Sequence, residues 1–172
     1  MWRVLVVEDH EGWHRSLIRH IGRAGHAMKG AYTCGRAREL IEEERFDLAI
    51  IDVHLPDGFG FDLVADFKVR NPRAGVLVAS AYYPCEAAAQ RAREVGADWF
   101  AASTGENLER VLRGEPPECN PSGRRTLEDV KVDYMHSVLL ETRGNRTAAA
   151  AVLGIKRQSL QQMLRKSTTP RD

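Results

Sequence analysis

The 172-residue chain predicts an α/β fold, a doubly wound five-stranded parallel sheet, followed by a small all-α unit. Three observations carry this. Short runs rich in β-branched residues recur as "RVLVVED" (3–9), "DLAIIDV" (47–53) and "AGVLVAS" (74–80), each nearly all apolar, as strands buried on both faces are. Amphipathic helical patterns alternate with them. A proline- and glycine-rich stretch then separates this rhythm from a basic, purely helical tail.

The elements follow in order. Between the first runs, Trp13, Leu17, Ile18 and Ile21 recur at helical spacing. "CGRARELIEEERF" (34–46) carries Ala37, Leu40 and Ile41 on one side and four acids on the other. "GFDLVADFKV" (60–69) and "CEAAAQRAREVG" (85–96) continue the alternation, then "ADWFAAS" and "GENLERVLRG". Strand then helix, about five times over, implies an open parallel sheet with helices on both faces.

Composition sets bounds. Charged residues make up 28% of the chain and no tract is of low complexity, which fits a packed soluble protein. The start reaches two acids within nine residues, too soon for a signal-peptide core, and no apolar run approaches membrane-spanning length. Cys34, Cys85 and Cys119 are odd in number and scattered, so reduced thiols in a cytoplasmic protein are expected. The net charge of +1 hides a split: residues 1–123 hold 15 basic and 19 acidic side chains, residues 124–172 hold 10 and 5. An acidic front and a basic tail point to two modules, the tail's partner being a polyanion.

In an open parallel sheet, functional groups gather at the carboxyl ends of the strands. The first strand ends in Glu8-Asp9, the third in Asp52, the fourth in Ser80 and the fifth near Ser103. Three carboxylates converging on one crevice offer all-oxygen ligands to a hard divalent cation, with positions left for phosphate oxygens. Acids so close repel one another, so the empty site is strained. A rival pattern overlaps the first acids: His10-Glu11-Gly12-Trp13-His14 has the H-E-x-x-H form of a zinc peptidase helix. Gly12 lies inside it and a third protein ligand would still be needed, so the preferred reading leaves both histidines as polar residues of the first helix.

"VLVVED", "LAIIDVHLPDGFG", "VLVASA" and "GADWF" together resemble the receiver domain of bacterial two-component response regulators, a flavodoxin-like fold, over roughly residues 2–113. The resemblance implies that Asp52 accepts a phosphoryl group from a sensor histidine kinase. It also implies that Glu8, Asp9, Asp52 and the backbone carbonyl of His54 hold Mg2+, that Ser80 bonds a phosphate oxygen, and that Phe100 is the switch aromatic. The family usually places Lys-Pro where this chain has Ser103-Thr104. A serine hydroxyl donates one neutral hydrogen bond and offsets no charge, which forfeits a charge-assisted contact of roughly 1.5–3 kcal/mol. Arg91 and Arg93 are the nearest replacements on a neighbouring helix.

Residues 114–125, "GEPPECNPSGRR", read as a linker. Thr126 opens "TLED", which resembles a capping box, and a helix is predicted from Leu127 to about Glu141. Leu127, Val130, Tyr134 and Val138 form one apolar stripe, widened by Met135 and Leu139. Gly144 ends that helix, Asn145 caps "RTAAAAVLG", Gly154 makes a turn, and "IKRQSLQQMLRK" (155–166) is the last helix, with Ile155, Leu160, Met163 and Leu164 facing inward. A module of this size rarely stands alone, so the extra stripe predicts pairing with a second copy or docking on the front domain.

The stretch "GNRTAAAAVLGIKRQSLQQMLRK" resembles the Fis-type helix-turn-helix, a likeness covering residues 126–166. It implies double-stranded DNA as partner, with the last helix in the major groove. Lys156 and Arg157 would open the recognition helix, Arg157 reading base edges; Asn145, Thr147, Ser159 and Gln162 would approach the backbone. Arg165 and Lys166 complete the basic face, and dimerisation through the tail's first helix is implied.

The expected organisation is therefore a receiver over 1–113, a linker over 114–125, a Fis-type helix-turn-helix over 126–167 and a tail over 168–172. The expected function is a non-enzymatic, cytoplasmic, DNA-binding transcriptional regulator, a homodimer without membrane attachment, controlled by phosphorylation at Asp52. The alternative is a receiver that works without phosphotransfer, as a dimerisation or partner-binding module. A phosphatase resembling the haloacid dehalogenases would want a second acid two residues after Asp52, where His54 stands.

Overall fold

The structure is a computed structural model that describes residues 1–80, 86–117, 131, 134, 135, 138, 139 and 141–167, without the side chains of 86, 87 and 165–167. Five parallel strands form the sheet: β1 (Arg3–Val7), β2 (Ala27–Ala31), β3 (Leu48–Asp52), β6 (Gly75–Ser80) and β7 (Trp99–Ala102), in the spatial order β2-β1-β3-β6-β7. Between β3 and β6 lies a two-stranded antiparallel hairpin, β4 (His54–Leu55) and β5 (Gly58–Phe59). The helices of this part are α1 (Glu11–Arg23), α2 (Cys34–Glu43), α3 (Phe61–Arg70), α4 (Glu86–Glu94) and α5 (Gly105–Leu112).

The near-continuous apolar strands are explained by two-sided burial. Leu5, Val7, Ala49, Ile51, Val76 and Val78 pack with residues of α2, α3 and α4, whereas their neighbours Val4, Val6, Leu48, Ile50, Leu77 and Ala79 pack with α1 and α5. Side chains alternate between faces with period two, so covering both faces demands hydrophobes at every position. β2 is the exception: "AMKGA" sits at the sheet edge, with only Ala31 buried, and its polar composition hid it from pattern reading.

Helix starts follow side-chain capping. Thr33 accepts from the Arg36 N–H at α2, and Thr104 from the Asn107 N–H at α5. At α1 the cap is His10, whose Nδ1 accepts from the Trp13 N–H, while Ile18, expected on the inner stripe, is exposed. Among the described helices none is long and apolar enough to cross a membrane.

In the tail, α6 (Arg146–Val152) and α7 (Arg157–Ser167) enclose a small core of Met135, Val138, Leu139, Ala149, Ala150 and Leu160. The predicted helix of 127–141 lies largely outside the described residues; Lys131, Tyr134, Met135, Val138, Leu139 and Glu141 are helical. Three assignments are corrected. The seam runs through Met135, Val138 and Leu139 while Tyr134 is exposed, and Met163 is exposed rather than inward. The last helix begins at Arg157, so Lys156 precedes it. Linker residues 118–125 and the capping box at Thr126 fall outside the described residues.

Candidate functional site: an acidic pocket at the carboxyl ends of the strands

Register brings the acids together. β1 and β3 pair side by side from Val4↔Leu48 to Val7↔Ile51, so Glu8 and Asp9 leave β1 beside Asp52, the last residue of β3. Carboxylate oxygens of Glu8, Asp9 and Asp52 all lie within 4.8 Å of one another. Glu8 is buried and accepts from the His10 N–H at 2.9 Å; Asp52 accepts from the His54 N–H at 3.2 Å. Burial, followed by the nearby Asp9 charge, pushes the Glu8 carboxyl up to about 7 against the pull of its backbone hydrogen bond. Asp52 is raised well above its ordinary value, by burial first and then by the charges of Glu8 and Asp9. Asp9 is raised by burial, with Arg146 among the charges that oppose the shift. Three oxygen donors that hold protons this tightly are the donor set of a hard divalent cation, and the residues fit Mg2+.

Ser80, Ser103 and Phe100, the other residues expected at this end of the sheet, lie in or just after β6 and β7. Ser80 is buried at the end of β6, one residue beyond the Ala79 that pairs with Asp52, and its carbonyl accepts from the Ser103 N–H at 2.7 Å. Among the described residues the buried Ser103 hydroxyl has no hydrogen-bond partner. Phe100 is buried, its ring tilted against Phe61 at 6.4 Å. Arg91 pairs with Glu94 on its own helix. The metallopeptidase pattern does not form a site: His10 caps α1, and His14 is buried, stacked on Tyr32 at 4.4 Å, while the cluster able to hold a metal is the carboxylate one among the described residues.

The β4–β5 hairpin, which the sequence pattern did not reveal, shapes the pocket rim. Asp57 at its tip accepts from the Cys34 and Gly35 N–H groups at 2.7 and 2.8 Å, tying the hairpin to the start of α2 and holding the Asp57 carboxyl low against a burial effect. Burial and the Asp57 charge push the Cys34 thiol up to about 11, so it stays a protonated core residue. Gly60 returns the chain directly over Asp52: a Cβ there would stand 1.9 Å from the Asp52 carbonyl oxygen. The repeated glycines of "DGFG" were the only trace of this close approach. His54 sits edge-on to Phe59 at 5.5 Å, and burial with the charge of Arg146 pushes its imidazole down to about 4.

In the tail, the Asn145 side chain accepts from the Thr147 and Ala148 N–H groups, both at 3.1 Å, and so caps α6. Thr147, Lys156, Arg157 and Gln162 are exposed and Ser159 partly so. Arg165 and Lys166 lie on α7, their side chains outside the described residues.

Comparison with known proteins agrees with this geometry. The family model of the response regulator receiver domain matches residues 4–102, and that of bacterial regulatory proteins of the Fis family matches residues 126–166. The chain is 36% identical over 88 residues to the response regulator protein PilR of Pseudomonas aeruginosa, a stretch of 51% of this chain and 20% of PilR. It is 23% identical over 166 residues to the photosynthetic apparatus regulatory protein RegA of Rhodovulum sulfidophilum, covering 95% and 91% of the two chains. A crystal structure of a Burkholderia pseudomallei response regulator with a phosphorylated aspartic acid, calcium ion and citrate superposes with a TM-score of 0.62 at 28% identity, over 93% of this chain and 96% of that one. A sheet of this order with an acidic pocket at its carboxyl ends defines a receiver, and the chain belongs to the response-regulator receiver family. Its Fis-type helix-turn-helix makes it a DNA-binding response regulator of the two-component class.

Proposed function

We propose that the protein is a dimeric, cytoplasmic transcription factor whose DNA binding is set by phosphorylation of Asp52, with a sensor histidine kinase as donor and Mg2+ in the acidic pocket. The observation that carries this is the convergence of Glu8, Asp9 and Asp52 within 4.8 Å at the ends of β1 and β3. In this reading an Asp52 carboxylate oxygen attacks the phosphorus of a phosphohistidine; the P–N bond breaks and the imidazole nitrogen keeps the electron pair. Bound Mg2+ would supply positive charge to the incoming phosphoryl oxygens. Glu8, Asp9, Asp52 and the His54 carbonyl would hold it. Ser80 and the unpartnered Ser103 hydroxyl would each donate one hydrogen bond to the acyl phosphate. Phe100, now buried against Phe61, would report occupancy by changing rotamer.

The receiver spans 1–113 and the linker 114–125 in this reading, with the output domain over 126–167 and a tail over 168–172. Arg157 opens α7 on its exposed side, which supports a base-reading role. Lys156, Ser159, Gln162, Arg165, Lys166, Asn145 and Thr147 would meet the DNA backbone. Exposed Tyr134, Val152 and Met163 supply apolar surface for a second copy.

The test is acetyl phosphate with Mg2+ on the full chain, read by Phos-tag electrophoresis and intact mass, with Asp52→Asn as control. A phosphoryl adduct on the wild type alone is expected. No adduct would leave the alternative, a receiver working without phosphotransfer through dimerisation or a bound partner, which the neutral Ser103 in the lysine position favours.

A further inference from the structure

A second cleft, of about 600 Å3, lies at the opposite end of the sheet from the acids. The amino-terminal ends of four strands line it: Trp2 precedes β1, Asp47 precedes β3, Gly75 opens β6 and Trp99 opens β7. Both tryptophans are half-buried. Gly75 lets the Trp99 indole lie close against the strand, since a Cβ there would stand 2.9 Å from the ring, and His26 stacks on Trp2 at 5.1 Å. Arg45, Arg70 and Arg73 line the cleft from the loops after α2 and α3. Arg45 donates through Nη1 to the Arg70 carbonyl at 2.6 Å, and Arg70 through Nη2 to the Glu42 carbonyl at 2.9 Å, so each closes a helix end and ties the two loops together. Buried Asn71 adds to the tie, accepting from the Phe46 N–H at 2.9 Å and donating to the Phe67 carbonyl at 3.2 Å. Among the described residues none of the three guanidinium groups meets a carboxylate, and Arg73 has no hydrogen bond at all. Nearby cations are treated differently: Arg3 and Lys29 pair with Glu44, and Lys68 with Asp98.

We propose that this cleft binds a nucleoside monophosphate with an amino-bearing base, the base on tryptophan ring surface and the phosphate among Arg45, Arg70 and Arg73. Charge selects the class. Three arginines against Asp47 leave two positive charges on the lining, and a phosphate monoester carries about −1.5 to −2 near neutral pH. Guanidinium groups present paired N–H donors that match phosphate oxygens, and here two of them are held in place by the carbonyls they already bond. A planar base gains from packing on half-buried indole. Asp47 spends Oδ2 on the Arg3 N–H at 2.7 Å and keeps Oδ1 for an amino group of the base. The volume falls within the range of about 300–1,000 Å3 usual for small-molecule sites. No residue of the Asp52 pocket takes part, so the site stands apart from the phosphorylation reading.

The indole N–H signals of the full chain, labelled with a nitrogen isotope for NMR, read the site directly. The sequence holds three tryptophans, and the third, Trp13, lies on α1 outside the cleft lining. Single Trp→Phe substitutions assign the signals, and EDTA keeps divalent cations away from the acidic pocket. Titration with adenosine monophosphate should shift the Trp2 and Trp99 signals to saturation and leave Trp13 in place. Adenosine alone and inorganic phosphate alone should each bind more weakly than the nucleotide. Arg73→Glu, at an exposed residue with no internal hydrogen bond to lose, should raise the midpoint concentration roughly tenfold or more. No shift with adenosine monophosphate would overturn the proposal, and so would an unchanged midpoint in Arg73→Glu. Equal binding of adenosine or of inorganic phosphate would overturn it too, as would a Trp13 shift as large as the other two.

Discussion

Replacing Glu8 by Gln should stabilise the protein in the absence of divalent cations, although it removes a residue of the pocket. Glu8 is buried and its carboxyl is pushed from an ordinary 4.5 up to about 7. The folded state therefore binds this proton more tightly than the unfolded chain does. Stability falls as pH rises from the unfolded midpoint through the folded one, and the full penalty is present above about pH 7. Each tenfold difference in proton affinity is about 1.4 kcal/mol, so ionising Glu8 in place costs about 3 kcal/mol. Gln keeps an oxygen for the His10 N–H and carries no charge, and it also lightens the repulsion on Asp52.

Thermal unfolding of wild type and Glu8→Gln in EDTA, from about pH 4.5 to about pH 8, checks this. The two should coincide at the acid end. The variant should melt roughly 6–12 °C higher at the alkaline end for a chain of this length. Saturating Mg2+ should erase or reverse the difference, because the cation repays the repulsion only where the carboxylate is present. A variant less stable than wild type at about pH 8 in EDTA would refute the account of the acids as strained by one another and by burial.

Three other substitutions test separate parts. Gly60→Ala puts a Cβ 1.9 Å from the Asp52 carbonyl oxygen, an overlap with backbone that must be relieved by moving the hairpin; a loss of about 1–3 kcal/mol in urea unfolding and weaker Mg2+ binding are expected. Ser103→Lys places an ammonium where a buried hydroxyl has no partner among the described residues; in EDTA it should shrink the alkaline loss of stability and speed phosphorylation by acetyl phosphate, and an unchanged pH profile would speak against Ser103 facing the acids. Arg157→Ala should weaken discrimination between target and random duplexes in gel shifts by about 1–3 kcal/mol, the share of the base it reads, while leaving salt-dependent binding in place.

The sheet was legible because burial on both faces writes itself into a sequence as unbroken apolar runs, seen at 3–9, 47–53 and 74–80. The pocket was legible for a related reason: topology places strand ends together, so acids far apart in the chain could be matched by position alone. β2 escaped because an edge strand needs few hydrophobes, and Lys29 and Gly30 break its pattern. The β4–β5 hairpin escaped because two-residue strands have no periodicity to read.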